Sequence, residues 1–108
     1  MPEDEISIAS LERTAAIRIL LYLYENFDRK EGVYLTELIR KVQASSDTIM
    51  LTLSTLLKNG LINDEYTKEY PYKRIFSLTA LGLEVAKPLA AVDQALHSQE
   101  PQEPKANR

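Results

Sequence analysis

The chain has 108 residues, 44% hydrophobic and 27% charged, which suits one globular domain with a core of its own. Its net charge of −3 excludes a non-specific basic coat for nucleic acid, and the absence of cysteine excludes disulfides, thiolate metal sites and cysteine nucleophiles. No apolar run approaches the roughly 20 residues of a membrane span, and the acidic opening MPEDEIS lacks the features of an export signal, so a cytoplasmic protein without a membrane partner is expected.

Residues 1–9 read as an acidic N-terminal arm. The first helix is predicted from about Ser10, its N-cap, to Asn26, because Leu11, Ala15, Ile19, Leu20 and Leu23 fall on one face. Charge and glycine in "DRKEG" (28–32) end it, and "VYL" (33–35) reads as a short extended segment. Thr36 is expected to cap a second helix that turns Leu38, Ile39 and Val42 inward. A third helix follows in "SSDTIMLTLSTLLKNG" (45–60). Its stripe Ile49, Leu53, Leu56 and Leu57 has the spacing i, i+4, i+7, i+8. The opposite face carries Asp47, Leu51, Ser54, Thr55 and Lys58, with Thr48 and Met50 on its flanks, and Asn59-Gly60 is a stop signal.

Two strand-like runs, "LINDEY" (61–66) and "KRIFSL" (73–78), are separated by "TKEYPY" and predict a hairpin. A long terminal helix then starts from Thr79. Its Leu81, Val85, Leu89, Val92 and Leu96 step by four, four, three and four, close to a two-stranded seam. Pro88 inside it is expected to kink or restart the helix, since its ring removes a donor and crowds the preceding turn. Residues 97–108, polar and proline-spaced, read as a disordered tail.

The order helix, short extended segment, helix, helix, hairpin, helix resembles a winged helix-turn-helix: mainly α with a small β-hairpin wing. Over roughly residues 10–96, "YLTELIRKVQASSDTIMLTLSTLLKNGLI" followed by "YKRIFSLTALG" is similar to archaeal and bacterial winged-helix transcription regulators, broadly of the multiple-antibiotic-resistance-regulator type. Leu35, Leu38 and Ile39 match the anchor of the second helix, and Ile49, Leu53 and Leu56 the buried side of the third. Gly60-Leu61-Ile62 matches the turn into the wing, and Leu78-Thr79 with Gly82 the step into the last helix. The resemblance implies a core at 10–78 and a dimerisation helix at 79–96. It implies a homodimer that binds double-stranded DNA with the third helix in the major groove and the wing on the backbone or minor groove.

The third helix departs from such regulators in having no Arg, the residue that most often reads guanine. Its candidate contacts are the hydroxyls of Ser45, Ser46, Thr48, Ser54 and Thr55, the apolar Met50 and Leu51 against thymine methyls, and Asp47. Asp47 either accepts from cytosine or simply complements the helix dipole. Phosphate anchors are expected from Arg40 and Lys41 at the end of the second helix, and from Lys68, Tyr70, Lys73 and Arg74 around the wing, where Glu65 and Glu69 can also neutralise the bases. The seam Leu81, Val85, Leu89, Val92 and Leu96 would pair with a second copy, and Ile17, Leu21, Tyr22 and Tyr24 of the first helix would share that interface. The competing reading is a protein-interaction module in which Met50 and Leu51 form a docking patch and DNA is not bound. No enzyme is expected: His97 is the sole histidine, no glycine-rich loop cradles phosphate, and the carboxylates do not cluster at metal-ligand spacing. No cofactor is expected, and no residue identifies a small-molecule effector.

Overall fold

The stripe that periodicity turned inward on the third helix lies at the middle of the core. The computed structural model describes residues 7–98. A 3-10 segment, Ser7–Glu12, precedes α1 (Ala16–Glu25), β1 (Val33–Tyr34), α2 (Leu35–Lys41), α3 (Ser46–Lys58), β2 (Ile62–Tyr66), β3 (Arg74–Leu78) and α4 (Ala80–Ser98). Ile19 and Leu20 of α1, Leu38 of α2, and Ile49 and Leu56 of α3 have no exposed surface, and Phe76 of β3 closes the cluster. Burying each such side chain contributes on the order of 1.5–3 kcal/mol. The three strands form an antiparallel sheet in the order β1-β3-β2, with Val33 opposite Phe76 and Ile62 opposite Leu78. Only Ile62 of β2 is buried, so β2 leaves the core after one residue, while Ile75 and Phe76 keep the middle of β3 in it and the hairpin tip projects as a wing. The architecture is the expected one, mainly helical with a β-hairpin wing.

Several local expectations are corrected. The first helix does not start at Ser10. The chain forms the 3-10 segment, Ala15 takes a left-handed φ of 70°, and α1 begins only at Ala16. An alanine there runs against its intrinsic preference. What holds the break is tertiary: the hydroxyl of the buried Thr52 on α3 donates to the Thr14 carbonyl at 2.7 Å. The arm expected at 1–9 therefore ends inside a helical turn, and residues 1–6 lie outside the described part. Thr36 does not cap α2. Tyr34 holds the N-cap position in an extended conformation, because "VY" is already committed to pairing with β3 as a genuine strand.

Helix α4 runs as one element through Pro88. Pro88, which offers no amide to the Glu84 carbonyl, is exposed, as is Glu84. His97, assigned to the tail, is helical, with its Nδ1 2.9 Å from the Asp93 carbonyl oxygen. The rest of the expected tail, 99–108, lies outside the described residues.

Two contacts fix how the elements join. Thr79 donates its hydroxyl to the Gly60 carbonyl at 2.6 Å and accepts from the Gly82 amide at 2.9 Å, while its own amide donates to the Leu61 carbonyl at 3.1 Å. A Cβ on Gly82 would stand 1.9 Å from that Leu61 oxygen, so only glycine permits the approach. This is the physical content of the "LT-x-x-G" step. At the other end of the core, Arg29 grips Glu37 with two nitrogens at 2.8 and 2.9 Å, and Tyr22 donates to the same carboxylate. The guanidinium is the main reason that the Glu37 pKa falls to about 2, and Glu37 in turn raises that of Arg29.

Candidate nucleic-acid interface

Helix α3 is oriented by its caps and by its buried face. Ser45 is its N-cap: its Oγ accepts from the Thr48 amide at 3.1 Å and donates to the Thr48 hydroxyl at 2.9 Å. Asn59 and Gly60, with φ of 76°, end it. With Ile49, Thr52, Leu53 and Leu56 buried, the opposite face stands in solvent. Leu51 is 60% exposed and Met50 38%; Ser46, Asp47 and Ser54 are exposed, and Thr48 and Thr55 are half-buried. The hydroxyl of Thr55 also donates back to the Leu51 carbonyl at 3.3 Å, so part of its capacity is used within the helix. The surface is thus a row of small hydroxyls around an apolar centre, with one acid in the first turn.

Cations are carried by other elements. Arg40 and Lys41 are exposed at the end of α2, just before the turn into α3. That turn is tied to α1, where Arg18 donates to the Gln43 carbonyl at 2.9 Å. In the wing, the loop between β2 and β3 is closed by the Thr67 amide to the Lys73 carbonyl at 2.8 Å, and by the Lys73 amide to the Thr67 hydroxyl at 2.9 Å. It presents Lys68 and Tyr70 to solvent, Tyr70 being 85% exposed and in edge contact with Tyr72. Lys73 is exposed and lies over the Tyr34 ring, 5.4 Å from its centroid. Arg74 differs. Two of its nitrogens reach Asp64 at 2.7 and 2.9 Å, and its guanidinium lies over the Phe76 ring. The acid that neutralises a wing base is therefore Asp64 rather than Glu65 or Glu69. Tyr66 pairs with Arg74, so Asp64 stands diagonally across on the same face.

The residues of the expected dimer seam lie together along one flank of α4. The core is met instead by Gly82 and Ala86, which are buried. Leu81, Val92 and Leu96 are 49%, 56% and 70% exposed, while Val85 and Leu89 are half-buried against the core. Ile8, Leu11, Leu61, Val85 and Leu89 line a largely apolar groove of about 620 Å³ beside this flank. Of the α1 residues expected to share the interface, Ile17 is exposed and Leu21 half-buried, whereas Tyr22 is engaged by Glu37 and Tyr24 stacks on Phe27.

Thr52 and Arg18, which hold α3 and the turn before it, escaped the sequence reading. Their partners lie 38 and 25 residues away, beyond any local pattern. Among the described residues, no group of His, Asp or Glu is placed to hold a metal ion, and no helix is long and apolar enough to cross a membrane.

No curated protein matches the sequence. Solved structures share the fold at low identity. A possible HxlR family transcriptional factor from Thermoplasma volcanium aligns with a TM-score of 0.74 and 15% identity, over 91% of this chain and 84% of that one. A transcriptional regulator homologue from Pyrococcus horikoshii gives 0.65 and 14%, over 83% and 86%. A MepR mutant from S. aureus, bound to an oligodeoxyribonucleotide, gives 0.63 and 20%, over 89% and 74%. The family model for the HxlR-like helix-turn-helix matches residues 16–104, from the first residue of α1 to beyond the end of α4. The chain belongs to the HxlR-like helix-turn-helix family, a family of DNA-binding transcription regulators and not a class of enzymes.

Proposed function

We propose that the protein regulates transcription as a homodimer that binds double-stranded DNA sequence-specifically, with α3 in the major groove and the wing on the backbone or minor groove. The observation that carries this reading is the solvent-exposed outward face of α3, together with the exposed cations Arg40 and Lys41 on α2 and Lys68 and Lys73 on the wing. Ser45, Ser46, Thr48, Ser54 and Thr55 would offer hydroxyls to base edges or phosphates, and Met50 and Leu51 would meet thymine methyls. Lys68, Tyr70 and Lys73 would hold phosphates from the wing, and Arg74 would join them only by sharing its charge with Asp64. The exposed flank of α4 supports the dimer. Two-fold pairing there would set the two reading helices on half-sites about one helical turn apart. The DNA-bound MepR mutant, similar in fold, supports DNA as the partner.

The test is binding to duplexes from the gene's own upstream region and to random duplexes, over a range of salt. Lys68→Ala with Lys73→Ala is expected to weaken both about equally and to lower the salt slope by about one to two. Leu51→Ala is expected to lose about 1 kcal/mol on the cognate duplex and little on random DNA. Val92→Glu with Leu96→Glu, both on exposed positions, should leave a folded monomer by sedimentation, because carboxylates across an apolar seam are costly to bury. A wild-type protein that retards neither duplex at low salt would overturn the reading and favour docking of a protein on Met50 and Leu51.

A further inference from the structure

The reading helix lacks arginine, yet an arginine stands beside it. Glu12, Arg13 and Thr14 meet Thr48, Leu51 and Thr52 around an open hollow of about 370 Å³ at the edge of the outward face of α3. Their place is built, not incidental. Ala15 reverses the chain with its left-handed φ of 70°, a conformation that persists only where surrounding structure enforces it. The Thr52 hydroxyl, itself buried, fastens the Thr14 carbonyl at 2.7 Å, and the Ala16 amide donates to the Arg13 carbonyl at 3.0 Å. The backbone from the Arg13 carbonyl onward is thereby fixed to the reading helix and to α1.

The side chain itself is uncommitted. Arg18 is spent on the Gln43 carbonyl, Arg29 on Glu37 and Arg74 on Asp64, while Arg40 is exposed at the far end of α2. Arg13 is exposed and has neither an ion pair nor a side-chain hydrogen bond among the described residues. A residue flanking a helix inserted in the major groove meets the groove wall, which is phosphate, before it meets a base edge. Arginine suits that partner through its planar fork of donors.

We propose that Arg13, presented by the junction before α1, is a phosphate-contacting residue of the DNA interface and, beside Arg40 of α2, supplies from outside α3 a guanidinium that α3 lacks. The assignment rests on the DNA-binding reading above. Glu12 lines the same hollow and opposes the phosphate, so the two neighbours pull affinity in opposite directions. Thr52 acts as a positioning residue, since its hydroxyl fixes the strained junction and touches no DNA.

The experiment is fluorescence anisotropy of the intact protein on cognate and random duplexes at several salt concentrations, with thermal melts alongside. Arg13→Ala is expected to weaken both duplexes about tenfold and to lower the salt slope by about one, whereas Glu12→Gln is expected to tighten both. The melting temperature of Arg13→Ala should stay that of wild type, because the side chain is exposed and has no partner among the described residues. Thr52→Val should reduce the effect of Arg13→Ala in a double-mutant cycle, a coupling that a purely structural loss would not produce. Wild-type affinity and salt slope in Arg13→Ala, with wild-type protein binding normally, would overturn the assignment alone. Loss confined to the cognate duplex would overturn it in favour of a base contact. If the wild-type protein binds neither duplex, the DNA reading fails and the role of Arg13 fails with it.

Discussion

Helices α3 and α4 both carry strong apolar stripes, but they use them in opposite ways. Helix α3 sends all its large inward residues into its own core: Ile49, Leu53 and Leu56 are 0%, 1% and 0% exposed. Helix α4 meets the core through Gly82 and Ala86, which let the backbones approach closely, and leaves Leu81, Val92 and Leu96 in solvent on its flank. An apolar stripe identical in kind is thus a folding element in one helix and an unpartnered surface in the other. The difference lies in which positions are small. Where glycine and alanine occupy the contact, the large side chains are displaced by about a quarter-turn and the core does not consume them.

The first way to break the contrast is inside α3 itself. Leu53→Ala should cost about 3 kcal/mol in chemical denaturation, the usual loss for a fully buried leucine. Next, Gly82→Ala should destabilise by about 2–3 kcal/mol, since its methyl meets the Leu61 carbonyl backbone rather than a yielding side chain. A wild-type melt for Gly82→Ala would mean that α4 is not seated as tightly as α3.

A smaller effect comes from a region that neither stripe controls. The Glu37 carboxylate has a pKa of about 2 in the folded protein against an ordinary 4.5. Its stabilising share is complete above pH of about 4.5 and drains away as pH falls from there towards 2. Because the Arg29 side chain is partly exposed, the amount should be only about 1 kcal/mol. Acid titration of stability in wild type and Glu37→Gln checks it: the variant should lose less over that interval. The smallest effect returns to α3. Leu51→Ala, two positions from Leu53, should change stability by no more than about 0.5 kcal/mol. A loss of several kcal/mol would place Leu51 in the core and reverse the two faces of the helix.

How far these features could be read from the sequence depended on the range of the forces behind them. Ile49, Leu53 and Leu56, and the stop at Asn59-Gly60, obey helical period and local hydrogen bonding, and they lie where the pattern puts them. The break at Ala15 was invisible, because alanine favours the helix and the bond that overrules it comes from Thr52, 38 residues from Thr14. The short extended segment expected at 33–35 pairs as strand β1 over two residues, because β3 supplies the partner edge. Pro88 does not restart the helix, and α4 is continuous from Ala80 to Ser98. In the candidate site, exposure of Leu51 and Met50 followed from phase alone. The engagement of Arg74 by Asp64 did not, because it depends on the register of two strands, which the sequence left open.

The joint at Thr79 has a mechanical consequence. Gly60 closes α3 and Gly82 lies in the first turn of α4, and the carbonyls of Gly60 and Leu61 are clasped by Thr79 with no slack at Gly82. The joint therefore works as a pivot pin with the long arm of α4 on one side and α3 on the other. A tilt of the far end of α4 cannot be absorbed by sliding at this pin. It must be transmitted to the end of α3 or resisted by the whole core, so the two helices turn together or not at all.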